Sequence, residues 1–290
     1  MLSLHDIRRR IKSVGSSAKI TRAMQMVAAS KMRKSQQATL TTRPFGQLLY
    51  RIQRYATTHA PDFTHPLLEV REVRKRSVIL VGTDKGLCGS LNTNLFRAAS
   101  EFDPGKTVYI AVGKRAAQFI TRSRRQLAAE FPSTDSPRFA EARPIAAFAR
   151  DQFLKGEVDQ VQIVTTRFIS TTAQQPGVLE FLPIGEIKGL KIPGMEPETN
   201  FVHDTKEVLF EPSPEAVLSY LFGHYLNIFV YLVLLEAKAS EQSARMVAMT
   251  NATDNATALI KHLTLEYNKM RQDNITNELL EIAGGQLGND

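Results

Sequence analysis

The fold of this chain is decided by residues 215–282, EAVLSYLFGHYLNIFVYLVLLEAKASEQSARMVAMTNATDNATALIKHLTLEYNKMRQDNITNELLEI, which hold no proline and one glycine, Gly223. A stretch without helix breakers predicts one uninterrupted α-helix. Ser213 and Pro214 precede it, where a cap and a first helical residue are expected. At ~1.5 Å per residue the helix is roughly 100 Å long, whereas a compact globule of this size has a diameter near ~50 Å. The helix therefore protrudes, and its apolar stripe needs a partner helix.

The amino-terminal segment supplies that partner helix. Ser3 and Asp6 have the spacing of a capping box. Apolar residues follow at intervals of three and four: Leu4, Ile7, Ile11, Val14 and Ala18. The same intervals recur near the carboxyl end: Ala252, Ala256, Leu259, Leu263, Tyr267 and Met270. We expect the helices at residues 1–60 and 213–287 to form a long antiparallel coiled coil rather than two ordinary bundle helices.

Between the helices, residues 77–210 alternate β-rich runs with helical stretches, the order expected of an α/β domain with a mainly parallel sheet. The predicted strands are 78–81, 107–112 and 158–166. The predicted helices are 92–101, 114–122 and 141–155. Pro176 with Gly177, Pro183 and residues 194–197 predict loops. The predicted fold class is α/β: a long antiparallel coiled coil of the terminal helices plus a central Rossmann-like domain.

Positive charge is concentrated in the first helix. Residues 1–60 contain twelve Lys or Arg and one acidic residue, Asp6, in a chain with a net charge of +8. Such a helix binds phosphates or acidic side chains, or is merely solvated. No aromatic residue interleaves with the basic ones before Phe45, which disfavours base stacking and hence nucleic acid. An acidic protein surface is the better partner.

Residues 217–235, VLSYLFGHYLNIFVYLVLL, are apolar enough to suggest a membrane span, since about twenty apolar residues cross a bilayer. Gly223, His224 and Asn227 interrupt the stretch, and no basic residue flanks its start. We expect a buried helix packed against the α/β domain and no membrane span. A single cysteine, Cys88, excludes an internal disulfide, and no signal or transit peptide precedes the first helix, which predicts a reducing cytoplasm.

The loop at residues 82–92, GTDKGLCGSLN, follows the first strand, where α/β sheets bind phosphates. Lys85 precedes Gly86 and no lysine precedes Ser90, so the Gly-Lys-Ser/Thr ending of a P-loop is absent. We therefore assign the glycines to a tight turn and Cys88 to a buried, inert thiol. The six histidines show no metal-ligand spacing. The sequence predicts no catalytic site, cofactor or metal.

Three motifs carry a resemblance: residues 18–36, AKITRAMQMVAASKMRKSQ; residues 83–96, TDKGLCGSLNTNLF; and residues 240–285, which open with SEQSARMVAMTNATDNA and close with LTLEYNKMRQDNITNELLEIAGG. Together they resemble the γ subunits of F-type ATP synthases, in that family's order and over nearly the whole chain. The resemblance implies a rotating shaft, whose terminal helices lie inside a hexamer of α and β subunits. It implies that the α/β domain is a foot that binds the ring of c subunits and ε. ATP is then converted on the β subunits, and this chain is not itself catalytic.

The resemblance also implies which residues contact partners. Those that hydrogen-bond a loop of a catalytic subunit are Arg245, Gln272 and Thr276, for which a polar coiled-coil flank is the alternative. Those that face the acidic lever of β are Met24, Lys31 and Arg33. Those that form a tip held in an apolar sleeve of the hexamer are Ile282, Ala283, Gly284 and Gly285.

Some features depart from the family or leave other classes open. Gln286 follows the final glycine, where the family usually has alanine, and the cysteine pair of the chloroplast members is absent. The absent transit peptide and the KMRKSQ motif at residues 31–36 favour a bacterial plasma membrane, with the foot peripheral on its cytoplasmic side. A nucleotide-dependent α/β enzyme with a helical arm is one alternative. A basic coiled-coil protein that binds nucleic acid is the other.

Overall fold

The computed structural model describes residues 3–59, 64–184 and 213–286. The chain divides into two compact units. The helix-pair unit comprises Met1–Ala28 and Arg245–Asp290, and the α/β unit comprises Ala29–Ala244.

The described elements follow the order expected of terminal helices around an α/β domain. The helices are α1 (Leu4–His59), α2 (Leu91–Ser100), α3 (Lys114–Arg122), α4 (Phe139–Leu154) and α5 (Pro214–Gln286). The strands are β1 (Arg76–Val81), β2 (Thr107–Val112), β3 (Gln126–Phe131), β4 (Gln160–Phe168) and β5 (Gln174–Leu182). The predicted strands correspond to β1, β2 and β4 and the predicted helices to α2, α3 and α4, all with bounds that agree within two residues.

Both long helices begin at the residues that the sequence indicates. The amide of Asp6 donates to Ser3 Oγ at 3.2 Å, and the amide of Ser3 donates back to Asp6 Oδ2 at 3.3 Å. This reciprocal pair is the predicted capping box. At the start of α5 the amide of Ala216 donates to Ser213 Oγ at 3.3 Å. The 73 residues of α5 then continue without a break, although Gly223 lies inside the helix.

In the helix-pair unit, α1 and α5 run antiparallel. Arg8 Nη2 donates to the hydroxyl of Tyr267 at 2.7 Å, and the hydroxyls of Thr21 and Thr253 lie 2.7 Å apart. Residue numbers rise along α1 while those of its partners fall along α5, as an antiparallel pair requires. The predicted coiled coil is confirmed.

The seam of this pair agrees with the predicted apolar spacing at all but one position. Ile7 in α1 and Leu263 in α5 are buried, with exposed fractions of 2% and 7%. Leu259 is 46% exposed, so its assignment to the seam is wrong. Ile260 is half-buried instead, because an interval of four from Ala256 and three to Leu263 keeps it on the same face.

In the described α/β unit the sheet has the strand order β3-β2-β1-β4-β5. The pairs β1–β2, β1–β4 and β2–β3 are parallel, and β4–β5 is antiparallel. The predicted mainly parallel sheet is confirmed. Pro176 and Gly177, predicted as a loop, instead lie inside β5 and pair with Thr166 and Thr165. Proline lacks an amide donor but is tolerated in an edge strand, which is the position of β5 in this sheet.

Each face of the sheet is covered by helices. On one face, β1 and β2 pack against α2 and α3 through a core that includes Leu80, Leu95 and Ile120. On the other face the sheet packs against α4 and against residues 222–234 of α5. The apolar stretch at residues 217–235 therefore belongs largely to the core of the α/β unit. By length and composition α5 qualifies as a membrane span, but 56% of its most apolar window is buried inside the protein.

Because this stretch is buried, we predict that two aromatic residues of α5 contribute very differently to the free energy of unfolding. Phe229 is 3% exposed and contacts the rings of Phe181 and Tyr225, whereas Tyr220 is 70% exposed. We expect Phe229→Ala to lower the free energy of unfolding by about 3–5 kcal/mol, because it removes a core side chain and leaves a cavity. Tyr220→Ala, the matched control, changes it by less than about 0.5 kcal/mol. Urea unfolding followed by circular dichroism measures both, and equal effects would show that the stretch is not core.

Candidate functional site

The carboxyl ends of β1, β2 and β4 meet at one edge of the sheet, where open α/β folds bind ligands. The loop after β1 fills part of this edge and is bonded within itself. The hydroxyl of Thr83 donates to the carbonyl of Lys85 at 2.8 Å and accepts a hydrogen bond from Asn92 Nδ2 at 2.8 Å. A Cβ atom on Gly82 would lie 3.0 Å from the Cβ of Ala116, so glycine permits this close approach of the loop to α3. The loop is a tight turn of the chain.

A polar segment of α5, residues 238–244, covers much of the same edge, and none of its residues is more than 9% exposed. Two serines of this segment bond to backbone carbonyls beyond or at the end of β4. Ser240 Oγ donates to the carbonyl of Thr166 at 3.0 Å, and Ser243 Oγ donates to the carbonyl of Thr171 at 2.7 Å. The helix is thereby held against the β4–β5 hairpin by directional bonds. The amide Nε2 of Gln242 is buried without a hydrogen-bond partner in the described part of the chain.

A buried ion pair lies in the same segment. Lys238 Nζ lies 2.6 Å from Glu241 Oε2, and the two side chains are 3% and 4% exposed. Lys238 also donates to Ser133 Oγ at 3.2 Å. A cleft beside the pair is lined by residues that include Gly82 and Glu141. The edge where a ligand is expected in this class of fold is thus occupied by the side chains of α5.

The loop between β3 and α4 carries a second ion pair. Lys31 Nζ of α1 lies 2.7 Å from Asp135 Oδ2, and Lys85 Nζ lies 3.6 Å from the same oxygen. The hydrogen bond from Lys31 lowers the pKa of Asp135 below its ordinary value, and the positive charges of Lys31 and Lys85 act in the same direction. Asp135 is therefore a carboxylate at neutral pH.

Glu236 is a partly buried residue of α5, two positions before the polar segment. Its Oε1 accepts a hydrogen bond from the amide of Phe168 at 3.2 Å. Burial raises the pKa of the Glu236 carboxyl above its ordinary value, since the charged form loses water. The bond ties α5 to the last residue of β4.

The residues predicted to contact partners differ in exposure. In α1, Met24 is half-buried and Arg33 is exposed, whereas Lys31 is partly buried and bonded to Asp135. In α5, Arg245 is 7% exposed and has an interaction within the chain.

Farther along α5, Gln272 and Thr276 are exposed, and Thr276 Oγ1 donates to the carbonyl of Gln272 at 2.9 Å. The backbone is helical through the predicted tip. The side chains at the tip lie outside the described part of the chain: Ile282, Ala283, Gly284 and Gly285.

Sequence reasoning misses the polar groups at the sheet edge. Asp135, Lys238 and Glu241 are not among the predicted site residues. One signal was present, because the apolar stretch at residues 217–235 gives way abruptly to a polar segment inside a helix that continues. Polar residues in a helix that is covered on all sides must bond to specific partners.

Solved structures of ATP synthases share the fold, and two of them show how closely. A chain of the Tetrahymena thermophila mitochondrial ATP synthase central stalk and c-ring matches with a TM-score of 0.60 and 24% identity, over 80% of this chain and 99% of that chain. A chain of the Euglena gracilis mitochondrial ATP synthase OSCP/F1/c-ring assembly matches with a TM-score of 0.65 and 19% identity, over 98% and 94%. The shared fold thus defines a class of protein, in which two long terminal helices are joined to one α/β domain.

Relatives with more similar sequences match over nearly the whole chain. The ATP synthase family matches over residues 3–287. The ATP synthase gamma chain of Opitutus terrae is 45% identical over 99% of both chains, and that of Dehalococcoides mccartyi is 42% identical over 98% of both. The chain belongs to the family of ATP synthase gamma chains, whose members are subunits of ATP synthase. The resemblance carried by the three sequence motifs is confirmed.

The buried ion pair predicts a characteristic pattern of stability. Lys238→Met removes the cation beside a buried Glu241, so we expect the free energy of unfolding to fall by about 3–5 kcal/mol. The double variant Lys238→Met with Glu241→Leu removes both charges and recovers most of that loss. Lys269→Met, at an exposed position of the same helix, is the matched control. Chemical unfolding of the four chains measures the effect. A double variant as unstable as Lys238→Met would contradict it.

Proposed function

We propose that this chain is the central-stalk subunit of an F1F0 ATP synthase. It turns within a hexamer of three α and three β subunits, and it couples ion flow through the c-ring to ATP synthesis or hydrolysis. Membership of the gamma chain family supports this assignment. So does the pairing of α1 with α5, since a long paired helix is suited to transmit rotation.

The observation that carries the proposal is the exposed end of α5. Residues 271–280 are all exposed, and they include the apolar side chains of Ile275, Leu279 and Leu280, which are 47%, 62% and 65% exposed. An apolar helical surface of this kind is stable in water when another protein covers it. The proposed cover is the hexamer, whose apolar sleeve holds the tip at Ile282, Ala283, Gly284 and Gly285.

In this proposal ATP is synthesised and hydrolysed on the β subunits, and this chain is not catalytic. The polar segment of α5 fills the sheet edge at which an α/β enzyme binds its nucleotide, which argues against the enzyme alternative. The α/β domain, with proposed bounds at residues 77–210, is the foot that binds the c-ring and ε. It lies between coiled-coil segments at residues 1–60 and 213–287.

We assign the contacts with β to side chains on both helices. Met24, Lys31 and Arg33 face an acidic lever of β, and the excess of positive charge in α1 supports this. The pair with Asp135 leaves Lys31 two further ammonium protons for a partner. Gln272 and Thr276, both exposed, and Arg245 hydrogen-bond a loop of β.

An asymmetric shaft biases each β subunit toward a different nucleotide affinity, and rotation permutes the three states. Driving one subunit from about 1:99 to 99:1 requires roughly 5.5 kcal/mol of differential contact. One exposed salt bridge contributes about 0–1 kcal/mol. The torque is therefore spread over many apolar and charged contacts along the shaft.

The proposed location is the bacterial plasma membrane, with the foot peripheral on the cytoplasmic side. The similarity to gamma chains of the bacteria Opitutus terrae and Dehalococcoides mccartyi supports it. The burial of the apolar stretch of α5 against the sheet agrees with a peripheral subunit that does not span the membrane.

Reconstitution tests the proposal directly. The purified chain is mixed with α and β subunits of the same source, and the products are separated by size exclusion and assayed for MgATP hydrolysis. We expect a stable complex with one copy of this chain per hexamer and strongly stimulated hydrolysis. A chain that elutes alone and leaves hydrolysis unchanged would overturn the proposal.

Within that complex, Gln272→Ala is expected to reduce the turnover of ATP about fivefold, the effect of one hydrogen bond of about 1 kcal/mol. Asn274→Ala is the matched control, since it truncates an exposed amide two residues away on another face of α5. Arg245→Ala also lowers turnover, but Gln272 is the cleaner probe because Arg245 is buried. Equal mild losses for Gln272→Ala and Asn274→Ala would refute a special role for Gln272.

A further inference from the structure

The loop between β3 and α4 is bonded to a lysine from each of the two long helices. Lys31 of α1 binds Asp135 at 2.7 Å, and Lys238 of α5 binds Ser133 at 3.2 Å. Lys238 is itself held by Glu241 at 2.6 Å. All five residues lie in the α/β unit. We call this set of five side chains the joint.

The joint differs in kind from the apolar packing that surrounds it. Residues 222–234 of α5 contact the sheet through an apolar core, which is strong but non-directional. Charge-assisted hydrogen bonds are directional and fix both the distance and the orientation of their partners. A one-turn slip of α5, ~5.4 Å along its axis, is enough to carry Lys238 away from Ser133 and to break the bond.

We propose that the joint transmits torque between the α/β domain and both long helices, by fixing their register and rotation on the loop at residues 132–138. This inference rests on the proposed rotor function. Asp135, Lys238, Glu241 and Ser133 are then positioning residues for energy coupling: they hold the helices to the domain and contact neither nucleotide nor ion.

The position of the loop fits this role. It directly follows β3 and ends at the start of α4. Strand β3 is hydrogen-bonded to β2 and through β2 to the rest of the sheet. A force on the sheet therefore reaches the loop through a continuous hydrogen-bonded element. The loop is bonded in turn to α1 through Lys31 and to α5 through Lys238. Bonds to two helices also resist twisting of the helices against the domain better than a bond to one helix. A single bond leaves the domain able to pivot about it, whereas a second bond on the other helix prevents that rotation.

The assay uses the complete ATP synthase in inverted membrane vesicles and measures the number of ions pumped per ATP hydrolysed, with proton and sodium uptake both followed. We expect Asp135→Ala to lower this ratio about twofold, which corresponds to about 0.4 kcal/mol and lies within the range of about 0–1 kcal/mol that a partly exposed pair contributes. The ratio is measured per assembled complex. A merely structural effect reduces the amount of complex and leaves the ratio unchanged.

Two variants serve as controls for Asp135→Ala. Asp135→Glu keeps the charge and is expected to restore most of the ratio. Asp151→Ala removes an acid of similar exposure that pairs with its own neighbour, Arg150, at 2.8 Å and, among the described residues, does not bond to a long helix. We expect Asp151→Ala to retain the wild-type ratio.

A double-mutant cycle separates the joint from a direct contact of Lys31 with β. If Lys31 acts partly through Asp135, the loss of ratio in the double variant Lys31→Ala with Asp135→Ala is smaller than the product of the two single losses, because their shared bond can be lost only once. Losses that multiply would mean that the two residues act independently, and would overturn the joint at this pair.

The two proposals fail in different ways. A wild-type chain that forms no complex with α, β and the c-ring overturns the rotor function and the joint together. A wild-type complex that pumps, with an unchanged ratio for Asp135→Ala, overturns the joint alone.

Discussion

The structure depends on the burial of a polar stretch of helix at the carboxyl edge of a parallel sheet. Residues 238–244 of α5 are almost fully removed from water, and each buried polar group left without a partner costs about 1–3 kcal/mol. Lys238, Ser240, Glu241 and Ser243 find partners within the helix, on the β3–α4 loop and on the β4–β5 hairpin. These partners can all be reached only when the helix lies at one position along its axis. The bonds therefore fix a single register of the helix on the sheet. The apolar stretch before this segment is thereby placed over the sheet face, and the residues after it are left for pairing with α1.

A helix of 73 residues meets several environments, and its sequence changes with each of them. The part that lies on the sheet is apolar, and the part at the sheet edge is polar and buried. The part that pairs with α1 has an apolar seam at intervals of three and four, and residues 271–280 are exposed. The first two parts find their contacts within the chain, apart from the buried amide Nε2 of Gln242, which has no hydrogen-bond partner in the described part of the chain. Residues 271–280, in contrast, need partner proteins to cover their apolar side chains. The same contacts would stabilise this end of the helix and perform the function proposed for it.

The sequence predicts the elements whose signals are local. Strands β1 and β2 are runs of buried apolar residues, and both long helices start at a recognisable cap. Strand β3, QLAAEF, has no β-branched residue, so its pairing with β2 decides its conformation. Strand β5 contains Pro176, a loop signal that the edge of the sheet overrides.

The site, like the fold, has features that the sequence predicts and features that it does not. The three motifs are contiguous in sequence and predict the family. Asp135 and Lys238 escape prediction because their partners on other elements, Lys31 and Ser133, lie 104 and 105 positions away in the chain, and no local pattern reports such a pairing. Glu241 is a local partner of Lys238, but its spacing of three does not reveal that the pair is buried.

The central claim is that this chain rotates inside the hexamer, and single-molecule observation tests it most directly. Cys88 is 2% exposed, so Lys155→Cys, at an exposed position after α4, provides a selective attachment point for a gold particle. With the α and β subunits fixed to a surface, the account predicts that MgATP drives the particle in one direction, with three equivalent pauses in each turn. A complex that hydrolyses MgATP while the particle stays at one angle would contradict the account.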